Sequence, residues 1–533
     1  MKSLWKLRYE LYTQVRRHVE QLLGEESVGM RKYRENFEKS FYKRWKPIQR
    51  VAFLHKLRVS RVVLLADFHA HHQSQKAQIR LLKNIKNKKV ILGVEFLESK
   101  DQALIESYMK GDLSEEKFLE KVKWDQRWGF PFSHYRPILD WARRSGVRVL
   151  GINKYYKERS SRTLKSRDSH SAQVISQILQ EDTNSQVWII YGDWHLAQHH
   201  LPREIIKQCD MVEKKDIVTV FQNSEKIFFQ AMKQDRDHDL DVVQLSNQEY
   251  CLMSVPPWVK WQSYLQFLES ELDLEGEGEE QDYTDHISQY VQILGQDLQV
   301  QVDQDSVSVY APGDESFFEK INNVFSAKDA RVLLSLIQRE MSFYCPECDM
   351  AFLSRPSVNH ASSLAMDIVH AQLSKRDCTP LHFPEDFQLA IFLEAIRYFG
   401  SKLINPKRKT DTLMDVRMTL ESQFPGDHGR EAMQLAIAEK MREMIYVTSG
   451  TLRGTSFLAR HKSSYFGAAR LLGGMMGEKL YWGYREGRMS RRFIIQLLSH
   501  PLGPGSNFHS YYYELVHELD AIPEPFLSKT EKL

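Results

Sequence analysis

Residues 62–72 read VVLLADFHAHH, an apolar run followed at once by an aspartate and three histidines. Such a short, uninterrupted run of Val and Leu is typical of a strand buried on both faces of a parallel sheet. Similar runs follow along the chain, and helical patterns such as QKAQIRLLKNI lie between them; the runs are VILGVEF (90–96), VRVLGIN (147–153), VWIIYG (187–192) and IVTVF (217–221). We therefore predict an α/β domain, a parallel sheet flanked by helices.

Polar side chains follow four of these runs at the point where each strand should end. The carboxyl ends of parallel strands share one edge of the sheet, and ligands bind in the crevice outside that edge. The residues delivered there are Asp67, His69, His72, Glu95, Asn153, Asp193 and His195. Four strands that each supply such a group predict a single binding site.

Two kinds of ligand suit this set of side chains. Imidazole together with carboxylate suits a divalent metal ion such as zinc, iron, manganese or copper, for which we select His69, Glu95 and His195. Haem needs an axial His or Tyr and an apolar slot. Aromatic residues that could line such a slot are Trp124, Trp128, Phe130, Phe132, Tyr135 and Trp194, and Tyr135 is also a candidate axial ligand.

The region from about residue 60 to 205 resembles the ChaN-like haem-binding domain of the Tiki/TraB/erythromycin-esterase superfamily. The matching motifs, in order, are ADFH, VEFLESKDQ, WDQRWGFPFSHYRP, VLGIN, the pair Arg167-Asp168, and GDWH. The resemblance implies haem binding, with a role in iron or haem uptake or handling. The candidate cofactor-binding residues are His69, His72, Glu95, Tyr135, Asn153 and His195. Ala66 and Asp67 replace the Gly-Glu pair that is usual in the family.

Two other functions stay open beside haem binding. Other branches of the superfamily imply a metal-dependent or His/Glu-dependent hydrolase, in which a side chain or a bound metal activates water. A third hypothesis is a scaffold that kept the fold and lost the chemistry. The reason for it is Asp67, whose side chain is shorter than that of the glutamate usual in the family.

The rest of the chain divides by composition. We predict an amphipathic helical leader (1–50), the ChaN-like α/β domain (51–268), an acidic linker without order (269–286), and a mostly helical domain of unknown role (287–525). The basic face of the leader favours a solvated helix surface, with contact of residues 1–24 with a membrane surface as the alternative.

Overall composition limits the partners. The chain has 533 residues and a net charge of +3, which indicates no nucleic acid partner. No apolar run reaches the roughly 20 residues that span a membrane. We see no signal peptide and no lipid-anchor motif, so we expect a cytoplasmic protein whose partner is haem or a small molecule.

Three weaker patterns lie in the helical half. Cys345 and Cys348 form C-P-E-C, which favours two ordinary thiols at a helix end, because the further ligands available to zinc (His360, Cys378 and His382) fit no common finger spacing. Gly473 and Gly477 indicate close packing between two helices. Two carboxylate-x-x-His pairs and two single glutamates suggest a dinuclear metal site in a bundle; they are Asp367 with His370, Glu514 with His517, Glu340 and Glu394.

Overall fold

The computed structural model describes residues 2–85, 89–238, 240–275, 283–304, 307–312, 314–376, 381, 383–422, 426–452, 457–502 and 508–523. These form two compact units. The first comprises residues 14–267, and the second comprises residues 2–13 together with those from 268 onward.

The first unit is built on an eight-stranded sheet. Its strands are β1 (Lys46–Pro47), β2 (Val62–Asp67), β3 (Val90–Glu98), β4 (Arg148–Asn153), β5 (Gln186–Gly192), β6 (Ile217–Gln222), β7 (Val242–Gln244) and β8 (Glu249–Leu252), in the spatial order β1-β7-β8-β6-β2-β5-β3-β4. All five predicted strands are present and pair in parallel. The sheet as a whole is mixed, because β7 pairs antiparallel with both β8 and β1.

Helices accompany these strands along the chain up to residue 275, with residues 2–13 of the first helix and 268–275 of the last assigned to the second unit. They are α1 (Lys2–Leu23), α2 (Val28–Glu38), α3 (Arg50–Val59), α4 (His72–Leu82), α5 (Gln102–Lys110), α6 (Glu115–Val122), α7 (Trp124–Arg127), α8 (Phe132–Arg144), α9 (Ser161–Glu181), α10 (Leu201–Gln208), α11 (Glu225–Lys233) and α12 (Pro257–Glu275). Serine side chains cap several N-termini, as Ser27 does for α2 and Ser160 for α9, because a hydroxyl oxygen can accept an otherwise unpaired backbone N–H.

The predicted leader needs a correction. Residues 1–50 do not form one helix, because Gly24 has a φ of +69° and ends the first helix before α2 begins. Strand β1 then pairs with β7, so this segment adds a strand to the sheet. From residue 14 onward it belongs to the compact α/β unit.

The strand register places the candidate site. Asp67 pairs with Gly192 across β2 and β5, and Glu98 pairs with Asn153 across β3 and β4. The carboxyl ends of these four strands therefore lie side by side, as the sequence predicted.

The second unit is mainly helical, as predicted. Its helices are α13 (Thr284–Leu298), α14 (Glu315–Val324), α15 (Ala327–Gln338), α16 (Val358–Ser374), α17 (Phe387–Ile404), α18 (Leu413–Ser422), α19 (Asp427–Ser449), α20 (Lys462–Arg485), α21 (Arg491–Leu498) and α22 (Phe508–Asp520). A small sheet of β9 (Ser308–Tyr310), β10 (Phe343–Cys345) and β11 (Met350–Phe352) accompanies them.

Helices α17 and α20 pack closely, which confirms the prediction from the two glycines. A Cβ atom on Gly477 would lie 2.5 Å from the carbonyl oxygen of Ala395, and one on Gly473 would lie 2.8 Å from that of Ile391. The same interface buries an ion pair between Lys402 and Glu478.

The predicted acidic linker is helical in part of its described residues. Residues 269–275 continue α12, residues 284–286 begin α13, and residues 276–282 lie outside the described residues. Leu and Glu are strong helix formers, so a helix that has already begun at Pro257 continues into this stretch. Separately, none of the helices among the described residues has the length and apolar character needed to cross a lipid bilayer.

Candidate functional site

Glu95, near the end of β3, is the centre of the site. Its side chain is only 2% exposed, and both of its oxygens are engaged. The Arg167 guanidinium of α9 forms an ion pair with Oε1, and the backbone N–H of Gly192 donates to Oε2. Because a buried carboxylate needs such partners, this arrangement fixes Glu95 between β5 and α9.

His69 lies on one side of Glu95. Its Nδ1 lies 2.8 Å from Oδ2 of Asp67, and its Nε2 lies 4.0 Å from Oε2 of Glu95, beyond hydrogen-bond distance. Burial acts to lower the pKa of His69, but the hydrogen bond to Asp67 and the nearby carboxylates raise it above its usual value. Asp67 is itself held by the side-chain amides of Gln75 and Gln78.

His195 lies on the other side of Glu95. Its Nδ1 lies 2.6 Å from Oδ1 of Asp168, and its Nε2 lies 3.8 Å from Oε1 of Glu95. Tyr33 of α2 donates its hydroxyl to Oδ2 of Asp168 at 2.7 Å. Burial lowers the pKa of His195 to about 3 and raises that of Asp168 to about 7, so the imidazole is neutral at physiological pH.

The two histidines thus share one arrangement. In each, Nδ1 faces an aspartate and Nε2 faces Glu95. An Nδ1–H that donates to a carboxylate leaves the Nε2 lone pair available, and this carboxylate–histidine pairing orients imidazoles that bind metals. The predicted convergence of His69, Glu95 and His195 is present in the structure.

Aromatic rings pack against His69, whose side chain is 26% exposed. The ring centroid of Trp128 lies 4.6 Å away and that of Phe130 lies 5.0 Å away. Phe130 in turn stacks on Phe267 of α12 at 4.7 Å. The predicted aromatic wall therefore divides: Trp128, Phe130 and Trp194 are half-buried near the site, whereas Trp124, Phe132 and Tyr135 belong to the buried core.

Tyr135 reaches the site from inside the core. It is fully buried and donates its hydroxyl to Oδ2 of Asp67 at 3.1 Å. Burial and the charge of Asp67 raise its pKa well above the usual value, which disfavours the phenolate that an axial ligand requires. Tyr135 therefore fits a role in holding Asp67 better than a role as ligand.

The other predicted residues lie at different distances from the centre. Asn153 accepts a hydrogen bond from Nε of Arg167 at 3.0 Å and so supports the partner of Glu95. Asp193 lies 4.0 Å from the Lys260 ammonium. The ring of His72 stacks on His134 with centroids 4.8 Å apart, and His134 in turn forms a hydrogen bond with the backbone of His69.

A metal centre at His69, Glu95 and His195 would need rearrangement. Among the residues that the structure describes, a group of three ligand atoms all within 4.8 Å of one another is found at Asp235, Asp237 and His238, but not at the predicted trio. In addition, the Arg167 guanidinium already neutralises Glu95.

Sequence reasoning assigned no role in the site to three residues that contribute to it. Arg167 and Asp168 stand in the sequence only as part of a family motif, and the structure places both on α9, beside Glu95 and His195. Tyr33 gave no signal, because it lies in a segment that was assigned to the leader.

The predicted dinuclear metal site in the helical unit is wrong. Glu514 and His517 are exposed on α22, and Glu340 is exposed in a turn. Asp367 is buried and paired with Arg376 at 2.8 Å and Arg397 at 2.7 Å, so its carboxylate is already neutralised. The carboxylate-x-x-His spacing arose here from amphipathic helices that present these residues to different surroundings.

The C-P-E-C motif does not lie at the end of an α-helix. Cys345 ends β10 and Cys348 lies in the turn before β11. Of the further ligands considered, His360 lies 3.4 Å from the Ser354 hydroxyl, and Cys378 and His382 lie outside the described residues.

Comparison with known proteins supports the resemblance found in the sequence. Residues 53–164 match the family model described as haem-binding uptake, Tiki superfamily, ChaN. A solved structure of cofacial haem binding to ChaN of Campylobacter jejuni is 16% identical in sequence. The match covers 34% of this chain and 88% of that chain, with a TM-score of 0.27. No curated protein sequence matches the chain. The resemblance to the ChaN family of the Tiki superfamily is thus confirmed over residues 53–164.

Proposed function

We propose that the α/β unit binds haem or a related iron-porphyrin, with His69 as the axial ligand. The observation that carries the proposal is the environment of His69. Its imidazole is partly exposed, its Nδ1 is held by Asp67, and Trp128 and Phe130 pack against its ring. An axial imidazole next to apolar rings is what a protein needs to hold a haem.

Each neighbouring side chain has a defined task in this proposal. Bound haem would supply an iron that accepts the lone pair of His69 Nε2. Asp67 orients the imidazole and increases its basicity, while Gln75 and Gln78 keep Asp67 in place. Arg159, whose guanidinium lies 5.9 Å from the Trp194 ring, is a cation available to pair with a carboxylate of the ligand. A role in haem or iron uptake or handling is part of the proposal.

One observation favours a second candidate, a divalent metal ion. His69 and His195 both direct Nε2 at Glu95, and each has Nδ1 on an aspartate, as in many metal sites. The ion would have to displace Arg167 from Glu95, which costs a buried ion pair. We therefore place haem first. The hydrolase alternative has less support, because a general base must reach the substrate, and His195 is only 5% exposed.

Titration of the purified chain with haemin tests the proposal. We expect a Soret band that saturates in the wild type and is lost in His69→Ala. The matched control is His55→Ala, which removes an exposed imidazole of α3 and should leave the band unchanged. A His69→Ala variant that binds haemin like the wild type would contradict the proposal.

Metal analysis separates the remaining possibilities. Stoichiometric metal without a Soret band, lost in both His69→Ala and His195→Ala, would favour the metal ion over haem. If the chain binds neither haem nor a metal ion, the scaffold hypothesis remains.

A further inference from the structure

The C-P-E-C segment forms a tight turn between two strands of the small sheet. In the antiparallel pair of β10 and β11, Cys345 lies opposite Met350, so residues 346–349 make the whole connection. Residues Pro346–Cys348 form one turn of 3-10 helix, and Asp349 follows in the left-handed region with a φ of +48°. A hydrogen bond of 3.0 Å from the Tyr344 hydroxyl to Asp349 stabilises this last residue.

This turn brings the two thiols together on one side of the hairpin. The side chain of Cys345 forms a hydrogen bond with Cys348, and the backbone N–H of Met350 is directed at the same sulfur. Cys348 Sγ also lies 3.8 Å from the carbonyl oxygen of Cys345. Two adjacent sulfurs with an N–H donor already aimed at one of them form a site prepared for thiolates.

The hairpin is held on a rigid base. Cys345 is fully buried in an apolar cluster with Phe317, Phe343 and Phe352, whereas Cys348 is half-buried at its margin. Strand β11 also pairs in parallel with β9, which fixes the outer side of the hairpin. Ligands that sit on packed strands keep their geometry without an ion, so binding costs little reorganisation.

We propose that Cys345 and Cys348 bind a thiophilic divalent cation such as Zn²⁺ through both sulfurs. Binding forms two metal–sulfur bonds and releases the two thiol protons to water, with no change of oxidation state. Zn²⁺ prefers thiolate ligands in tetrahedral geometry, and two cysteines separated by two residues supply two of its four positions. This site is independent of the histidine site of the α/β unit.

One feature favours a metal over a redox-active pair. Redox C-x-x-C motifs usually place the first cysteine in an exposed position at a helix start, whereas Cys345 is fully buried at a strand end. Among the described residues, no third His, Cys, Asp or Glu joins the two thiols in a group with all ligand atoms within 4.8 Å. The proposal therefore commits to two protein sulfurs, with water or groups elsewhere in the chain in the other positions.

Co²⁺ substitution in the full-length, reduced chain tests the site. Thiolate-bound Co²⁺ gives a charge-transfer band in the near ultraviolet, whereas Co²⁺ on histidine and carboxylate does not. We expect one equivalent of Co²⁺ to produce this band, Zn²⁺ to abolish it by displacement, and Cys348→Ser to lose it. Cys209→Ser, which changes a buried cysteine of the α/β unit, is the matched control and should keep the band.

A second measurement covers the case in which Cys348→Ser does not fold. In the wild type, Zn²⁺ should protect Cys348 from alkylation by iodoacetamide, as read from the modified peptides by mass spectrometry. The proposal is overturned if the wild type shows no thiolate band, if the band survives in a folded Cys348→Ser variant, or if Zn²⁺ leaves the alkylation rate of Cys348 unchanged. Oxidation of the pair to a disulfide with no metal-dependent band would also overturn it.

Discussion

Oδ2 of Asp67 lies 2.8 Å from Nδ1 of His69, two residues further along the chain. The family pattern has a glutamate where Asp67 stands, yet the shorter side chain reaches the imidazole directly. Asp67 was the reason for the scaffold hypothesis, but in the structure it provides the hydrogen bond that orients His69, the candidate ligand.

Asp67→Asn should weaken ligand binding without removing the ligand. The amide is neutral, so the pKa of His69, which Asp67 raises, should fall. Loss of such a supporting carboxylate typically costs about 10- to 100-fold in affinity. Haemin titration measures the affinity, and NMR titration of the imidazole measures the pKa. Asp125→Asn, at an exposed position of α7, is the control; equal affinity of Asp67→Asn and wild type would remove Asp67 from the site.

Tyr33→Phe should destabilise the α/β unit. The change removes the hydroxyl that donates to Asp168, and a buried carboxylate that loses a donor costs about 1–3 kcal/mol. Urea unfolding measures the loss. Tyr42→Phe is the matched control, because Tyr42 is 68% exposed. A loss no larger than that of the control would mean that Tyr33 does not support the buried pair of Asp168 and His195.

Gly477→Ala should destabilise the helical unit through the contact between α17 and α20. The new methyl would lie 2.5 Å from the carbonyl oxygen of Ala395, so the helices must separate. Such overpacking costs about 1–3 kcal/mol, more than alanine gains in helix propensity. In Gly426→Ala no atom lies within 4 Å of the new Cβ, so we expect a smaller loss, limited to the replacement of the glycine N-cap of α19. Thermal unfolding followed by circular dichroism compares them, and equal stabilities would contradict the close crossing.

His370 should make the helical unit sensitive to acid. Burial lowers its pKa to about 3, so the folded state holds it neutral while the unfolded chain protonates it near pH 6.5. The contribution of neutral His370 to the free energy of unfolding is fully present above the pKa of this histidine in the unfolded chain. It is lost as the pH falls toward 3, at about 1.4 kcal/mol per pH unit for one proton.

Replacement of His370 by Leu should therefore reduce the slope of unfolding free energy against pH between pH 6 and 4 (about the window set by these two pKa values). Urea unfolding at several pH values gives this slope. His517→Leu, on the exposed face of α22, should leave the slope as it is in the wild type. If both variants behave alike, His370 does not carry the acid sensitivity.

The sequence predicted the parts of the fold that rest on simple periodicity. Five buried strands and the common edge of Asp67, Glu95 and His195 followed from apolar runs and the residues that end them. It could not predict the short strands β1 and β7, because three residues or fewer carry no periodicity. Tyr33 was missed for a related reason: its partner Asp168 is 135 residues away, and no local pattern reports such a contact.

The position of Tyr33 also determines which fragments of the chain can hold an intact site. A fragment that starts at residue 53, where the family match begins, would contain every histidine and carboxylate discussed for the first unit. It would nevertheless lack α2, so Asp168 would lose a donor and water would reach the buried side of His195. Recombinant dissection should therefore start upstream of α2, since the family boundary and the folding boundary of this protein are different places.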